Sequence, residues 1–205
     1  MMRYPTPIRL LLLCCLAALP ATASEEEHAD FSDQMTPSCE LIGLTGYPPE
    51  GWFNVPMEIP APDLAGCQMM RAGDDDELLG ILRLLSVVVP EGTPEDKWLA
   101  GLLDLEAQWL EEMGITLGEP LFKREDVPIS GLGDFENGTG LGLEASIEGN
   151  DTPQEVHFLG FNSPTIQYLL TLSTPARDVE DGVFYKRNTD DFGVLIRTFQ
   201  LPKSD

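Results

Sequence analysis

The chain has 205 residues, of which 35 are acidic and 12 are basic, so its formal net charge at pH 7 is −23. An acidic excess of this size argues against nucleic acid and anionic membrane surfaces as partners, because both are bound through basic surfaces. The length is sufficient for one domain with one hydrophobic core.

Residues 1–23 have the three parts of a cleavable secretory signal peptide. Arg3 and Arg9 form a basic start, an apolar run covers residues 10–19, and the small-residue triplet 21–23 supplies a cleavage site. The apolar run is shorter than the ~20 residues that cross a bilayer. We therefore expect a periplasmic or secreted protein, cleaved near the end of this segment, with no transmembrane anchor in the mature chain.

Cleavage there would leave ten basic residues against 35 acidic ones, a net charge of −25. Residues 24–37 are charged and aperiodic, which predicts a disordered acidic leader. Residues 38–205 are expected to form a single α+β domain. The acidity has two open interpretations, tolerance of high salt or recognition of a partner.

Two cysteines, Cys39 and Cys67, remain after cleavage. An even number of cysteines in an oxidising compartment predicts one structural disulfide. A redox pair is usually spaced Cys-x-x-Cys, and a zinc site needs more ligands than these two, so neither alternative fits as well.

The segment from Cys39 to residue 72 is typical of short strands broken by turns. Residues 40–44 are a predicted strand, and residues 52–59 are a predicted edge strand or extended segment because Pro56 cannot donate to a sheet ladder. The almost continuously apolar residues 78–89 predict a strand that is covered on both faces.

The clearest local signal is the start of a long helix. Thr93 is a suitable cap, Pro94 suits the first helical position, and two acidic residues follow at the positive helix end. Apolar residues then recur at steps of three and four, which predicts a core-facing helix that ends at about Met113 and stops at Gly114.

Five further strands and a second helix are predicted beyond Gly114. The strands cover residues 119–123, 131–136, 140–147, 155–161 and 166–173. The expected turns between them include a two-residue hairpin turn at Asn137-Gly138, so the strands should form an antiparallel meander. The last helix is expected to start near residues 189–191, whose Thr-Asp-Asp sequence is a good cap. This order predicts an α+β fold, an antiparallel sheet flanked by helices.

The segments 156–173 and 192–199 carry a family resemblance. The first is similar to the final hairpin of the PsbP/DcrB-type fold, with its apolar Tyr-Leu-Leu-Thr run at 168–171, and the second is similar to its terminal helix. The family also includes the Ran-binding Mog proteins. The resemblance implies an α/β/α sandwich and a binding or accessory role, and it supplies no shared catalytic residues.

The sequence contains no recognisable catalytic or nucleotide motif. Its glycines match neither dinucleotide-binding nor phosphate-loop spacing, and no Gly-x-Ser-x-Gly elbow is present. His157 is the only histidine of the expected domain, and the strand pattern predicts that it points to solvent. We therefore expect no enzyme and no cofactor.

Acidic loops are the remaining candidates for a metal site. The oxygen ligands that calcium prefers occur at Asp74, Asp75, Asp76 and Glu77, and again at Asp178, Glu180 and Asp181. Neither cluster matches a known calcium loop, so solvated loops are the plainer interpretation.

Two functions are compatible with the sequence. The first is an exported, non-enzymatic binding or assembly accessory of the cell envelope, with an envelope protein as its unidentified partner. The second is a protein that binds a divalent cation or a small ligand, in the acidic loops or in an aromatic cleft near Trp52, Trp98 and Trp109.

Overall fold

The computed structural model describes residues 39–57, 59, 63–73, 77–90, 94–127, 129, 138–163 and 165–199, without the side chains of residues 95–98. The predicted signal peptide, the acidic leader and the predicted strand 131–136 lie outside these residues. The following elements are numbered in chain order: β1 Cys39–Leu41, β2 Leu44–Gly46, β3 Phe53–Val55, β4 Leu64–Ala72, β5 Leu78–Val88, α1 Glu95–Glu112, β6 Ile115–Val127, β7 Gly138–Ile147, β8 Asn150–Asn162, β9 Ile166–Pro175 and α2 Val183–Thr198.

Seven of the strands form one antiparallel sheet with the order β3-β4-β5-β9-β8-β7-β6, and β1 and β2 form a separate hairpin. The central strands β5, β9 and β8 are buried along most of their length. This confirms the predicted strand after residue 77 and the predicted antiparallel meander.

A helix packs on each face of the sheet, which gives three layers. On one face, here the α2 face, Leu195 and Phe199 of α2 and the β1–β2 hairpin share a core with Leu82 and Leu170. On the other, the α1 face, Leu102 and Leu110 of α1 share a core with the neighbouring sheet residues Leu85 and Leu169. Successive side chains of a strand point to opposite faces, so each central strand contributes to both cores. The α+β fold with an antiparallel sheet between helices is confirmed.

The start of α1 differs in detail from the prediction. The helix begins at Glu95, and Pro94 is its cap residue, with an extended ψ of 135° and no side-chain cap hydrogen bond. Thr93 lies outside the described residues. Gly114 has a φ of 79°, a left-handed conformation that glycine adopts without strain, so the predicted stop is confirmed.

The second helix starts earlier than its sequence indicates. It begins at Val183 after Gly182, whose φ is 73°, and the predicted start at 189–191 is wrong. Thr189 lies inside the helix, where its hydroxyl donates to the carbonyl oxygens of Tyr185 and Lys186. A hydroxyl that bonds back to the preceding turn is satisfied within a helix and does not mark its end.

Three strand predictions also need correction. The single strand expected at 40–44 is two short strands joined through Gly43, whose φ is 73°. The nine-residue strand β4 was not recognised. Gly138 pairs with Val127 inside the sheet, so it is part of β7 and the predicted two-residue turn at Asn137-Gly138 is wrong.

Candidate functional site

An apolar cleft of about 580 Å³ opens on the α1 face, between the first half of α1 and the strands β9, β8, β7 and β6. Its volume lies within the range of about 300–1,000 Å³ that is usual for small-molecule sites. Its described lining residues are Leu99, Ala100, Leu103, Lys123, Thr139, Leu141, Phe158, Gly160 and Leu169. Six of the nine are apolar with a side chain, and one is glycine, so the cleft suits an apolar molecule.

The walls follow from the periodicity of the elements that supply them. Leu99 and Leu103 are one turn apart on α1 and therefore lie on the same side of the helix. Phe158 and Leu169 are 5% and 0% exposed and form the floor of the cleft. Gly160 lies beside them in β8 and has no side chain, so the floor is lower at this position.

Two polar side chains line the cleft. Lys123 is on the edge strand β6 opposite Leu141, and Thr139 is half-buried on β7. The ammonium group of Lys123 is 3.2 Å from a carboxylate oxygen of Glu125, and both side chains are mostly exposed. An exposed pair of this kind is weak, so Lys123 can exchange its carboxylate for another acceptor at little cost.

A buried ion pair fixes α1 beside the cleft. The guanidinium of Arg83 in β5 is 3.0 Å from Glu106 in the middle of α1, and the side chains are 4% and 0% exposed. Arg83 also lies 4.2 Å from the centre of the Trp109 ring and donates to the side-chain oxygen of Gln68 at 3.2 Å. Burial raises the pKa of Glu106 and lowers the pKa of Arg83, because removal from water disfavours both charged forms more than their attraction favours them.

A second polar cluster lies on the α2 face. Arg177 donates two hydrogen bonds of 2.8 Å to the two carboxylate oxygens of Glu155. The Nε2 atom of His157 is 3.2 Å from the same carboxylate, and its ring lies between Phe122 and Tyr185, with centroids 5.5 and 5.6 Å away. His157 is 9% exposed, so the prediction that it points to solvent is wrong. The two aromatic rings, one from β6 and one from α2, cover it.

This cluster has shifted pKa values but no obvious reaction. Burial lowers the pKa of His157, in spite of the nearby carboxylate, because removal from water disfavours the charged imidazolium. Burial opposes ionisation of Glu155, but the hydrogen bonds and charge of Arg177 outweigh it, so the pKa of Glu155 is lowered. The Nε2 atom of His157 is not hydrogen-bonded to a serine, threonine or cysteine among the described residues.

The tryptophans of the predicted aromatic cleft do not lie together. Trp52 is on the α2 face, where Arg71 packs 4.8 Å from its ring centre and Asp191 accepts from its ring nitrogen at 3.1 Å. Trp109 packs on the opposite face. The side chain of Trp98 is outside the described set, and Trp52 and Trp109 do not form a common cleft.

The predicted acidic metal sites gain no support from the part of the chain that the structure describes. Asp74, Asp75 and Asp76 lie outside it, and Glu77 is exposed. The second cluster, around Asp178, is also exposed and lies in the turn before α2. Among the described residues, no group of three potential metal ligands is close enough to hold an ion.

The predicted disulfide is present among the described residues. The structure joins Cys39 to Cys67, with Cα atoms 5.7 Å apart, which ties the β1–β2 hairpin to β4. None of the described helices combines the length and apolar character needed to span a membrane. Cleavage of the signal peptide stays a prediction.

Sequence reasoning missed the cleft, since its lining comes from five consecutive elements whose packing against one another the sequence pattern does not specify. One signal was available: Gly160 interrupts a buried apolar strand, and a glycine in such a strand often marks the close approach of another group. The alternation of Thr139 and Leu141 with glycines on β7 was a second, weaker indication that only one face of this strand carries side chains.

Comparison with known proteins found low-level structural similarity. No family model matches the chain, and no curated protein sequence matches it. A crystal structure from Bacteroides thetaiotaomicron is 11% identical over 83% of this chain, with a TM-score of 0.43, and the chain spans 50% of that protein. A mutant of protein Mog1 is 12% identical over 80% of this chain and 96% of its own, with a TM-score of 0.45. LpqN of Mycobacterium tuberculosis, described as involved in cell envelope biogenesis, is 18% identical over 77% of this chain and 82% of its own, with a TM-score of 0.35.

These similarities include a Mog protein, as the sequence resemblance implied, but membership of the PsbP/DcrB-type family stays a prediction. With TM-scores below 0.5, they carry no argument about function. The argument below therefore starts from the cleft.

Proposed function

We propose that this protein is an exported, non-enzymatic binding protein of the cell envelope, which holds an apolar small molecule in the cleft between α1 and the sheet. The cleft is the observation that carries the proposal. A concave, mostly apolar site with a few polar groups is the usual form of a small-molecule site. In this proposal the loaded protein serves an envelope protein partner.

Two clefts of similar volume are formed by the described residues, and the one beside α1 is the better candidate for an apolar ligand. The other has the same volume of about 580 Å³ but is lined by Glu144, Glu155, Arg177 and Asp178 among its described residues. Those charges are partly occupied by the Glu155–Arg177 pair. An apolar molecule gains by leaving water only where the walls are apolar, which favours the cleft beside α1.

Other features of the chain support a role in export. The predicted signal peptide and the disulfide both indicate an oxidising compartment. An acidic surface keeps a protein that carries an apolar ligand soluble, because like charges oppose association between copies.

The test is binding of an uncharged fluorescent probe, N-phenyl-1-naphthylamine, to the purified exported protein. An uncharged probe avoids repulsion by the acidic surface. We expect saturable enhancement with one site per chain. Ala100→Trp places a ring at the rim of the cleft and should weaken binding about tenfold or more, because it fills the space that the probe occupies.

The matched control is Gln108→Trp, since Gln108 is also exposed on α1 but does not line the cleft. It should bind the probe as the unchanged protein does. Equal binding by both variants, with both folded by circular dichroism, would place the probe elsewhere and remove the support for this function.

A further inference from the structure

We propose that this protein also binds a small carboxylic acid, whose carboxylate is held by Arg71 and Arg187 in front of Gly51. The site lies on the α2 face of the sheet, shares no described lining residue with the cleft beside α1, and goes beyond the proposed function. Three observations carry the proposal. Two guanidinium groups point to the same space, one of them is fixed in place, and the other has no carboxylate partner among the described residues.

The pocket for the acid lies between the turn before β3, the end of β4 and the first turn of α2. Its volume is about 310 Å³, at the lower end of the range of about 300–1,000 Å³ that is usual for small-molecule sites. Its described lining includes Gly51, Arg71, Glu77, Leu79, Phe184 and Arg187. Leu79 is buried and Phe184 is half-buried, so part of the lining is apolar. The pocket therefore suits an acid with a small apolar body.

The guanidinium groups of Arg71 and Arg187 converge on the space in front of Gly51. The point where a Cβ atom of Gly51 would lie is 3.5 Å from Nη2 and 3.7 Å from Nε of Arg71, and 3.8 Å from Nη2 of Arg187. Gly51 has a φ of 80°, a left-handed conformation that favours glycine, so the turn keeps this space free of a side chain. Two positive groups this close repel each other, and an anion between them replaces the repulsion by two attractions.

Arg71 is held rigidly in the orientation that the site requires. It is 3% exposed and packs 4.8 Å from the centre of the Trp52 ring. Its Nη1 atom donates to the side-chain oxygen of Asn188 at 2.8 Å. Its Nη2 atom donates to the carbonyl oxygen of Glu50 at 2.9 Å and lies 2.6 Å from Asp191. These contacts leave its Nε–H for the pocket, and a donor that is already fixed loses little side-chain freedom when a ligand binds.

Arg187 supplies the second, exposed guanidinium group. Within the part of the chain that the structure describes it pairs with no carboxylate, whereas five other basic side chains do, those of Arg71, Arg83, Lys123, Arg177 and Lys186. A guanidinium group matches the two oxygens of a carboxylate in geometry and charge. The carboxylates of Glu77 and Asp191 lie at the same pocket and oppose a second negative charge, so a carboxylate is favoured over a phosphate dianion.

The experiment is an NMR titration of the purified, isotope-labelled exported protein with benzoate, followed at the assigned indole N–H signal of Trp52. This N–H donates to Asp191, and Arg71 packs on the same ring, so a ligand on Arg71 changes its surroundings. The ionic strength is held at about 0.15 M to screen the repulsion by distant acidic residues. Benzoate should give a saturable shift. Benzamide has the same shape without the charge and should bind at least about tenfold more weakly.

Two arginine variants locate the bound carboxylate. Arg187→Gln should weaken benzoate about tenfold, because one of the two charged donors is lost. The matched control is Arg197→Gln, which removes an equal charge from another exposed arginine of α2 that does not line the pocket. It should bind benzoate as the unchanged protein does, since position 197 lies ~15 Å farther along the helix. Inorganic phosphate, largely a dianion at slightly alkaline pH, should bind more weakly than benzoate.

Several outcomes would overturn the proposal. It is wrong if benzoate gives no saturable shift, if Arg187→Gln binds benzoate as tightly as Arg197→Gln does, or if benzamide binds as well as benzoate. Tighter binding of phosphate than of benzoate would also overturn it, because the class of ligand would be wrong. The naphthylamine assay reports on the cleft of the opposite face, so the proposed function stands or fails independently of these results.

Discussion

The ion pair between Arg83 and Glu106 offers the sharpest test of how α1 is held on the sheet. Glu106 is fully buried in the middle of the helix, and the Arg83 side chain is 4% exposed. Replacing Glu106 by Leu would leave the guanidinium buried without its carboxylate. Removal of one partner of a buried pair costs about 3–5 kcal/mol.

That loss is large compared with the stability of a typical domain, which is about 5–15 kcal/mol. For a domain of this size it corresponds to a fall in melting temperature of roughly 6–20 °C. The assay is urea unfolding of Glu106→Leu followed by circular dichroism, with the free energy of unfolding obtained by linear extrapolation.

The double variant Arg83→Met with Glu106→Leu separates charge from packing. Both charges are absent from it, so it should regain most of the lost stability or exceed the unchanged protein, as apolar replacements of buried pairs often do. Lys186→Met, which breaks an exposed pair with Asp190, should leave the unfolding midpoint unchanged. The reasoning is refuted if Glu106→Leu is as stable as the unchanged protein, or if the double variant is no more stable than the single one.

Two further predictions concern pH and the disulfide. Burial lowers the pKa of His157, so the unfolded chain binds more protons than the folded one below about pH 6.5, and stability should fall as the pH is lowered through this range. His157→Gln should lose less stability than the unchanged protein between about pH 7 and about pH 5 in urea unfolding, and parallel curves would contradict this. The bond between Cys39 and Cys67 closes a loop with a sequence separation of 28, so its loss in a double Cys→Ser variant should cost about 3–4 kcal/mol in chemical unfolding. Equal stability with and without the bond would show that the unfolded chain is already constrained there.

The elements with a regular pattern could be predicted from the sequence. The helix after Pro94 has apolar residues at steps of three and four, and residues 78–88 are almost continuously apolar, with Arg83 and Ser86 as the polar exceptions. Local chemistry determines such elements, since the burial of one helical stripe or of both strand faces requires a specific spacing. The hairpin between β8 and β9 was predicted for the same reason.

The errors arose where tertiary contacts override local signals. In β4, the polar residues Gln68 and Arg71 are buried because side chains of other elements bond to them. Their polarity interrupts the apolar pattern by which a strand is recognised in the sequence. In α2, Asn188 is fully buried and bonds to the Leu79 carbonyl, so a polar residue faces the core in the first half of the helix. The apolar stripe was therefore recognised only in the second half.

The sequence predicts several of the elements that line the cleft but not the cleft itself. The cleft exists because the first half of α1 lies over the four strands that follow it in the chain, β6 to β9. Lys123 and Leu169 both line the cleft because the strand order β9-β8-β7-β6 places their strands in one sheet. The strand order follows from the predicted meander, but the position of α1 over these strands depends on tertiary packing that hydrophobic patterns do not specify.

The edge strand β6 has a consequence for how the protein can assemble. Its pairing with β7 shifts register at three points, and Asp126 has a φ of 57°. Its residues 123–126 are Lys-Arg-Glu-Asp, all of which are charged. Irregular and charged edges are poor templates for another strand, and the opposite edge, β3, has only three residues. Growth of the sheet from one molecule to the next is thus discouraged at both sides, which disfavours fibre formation.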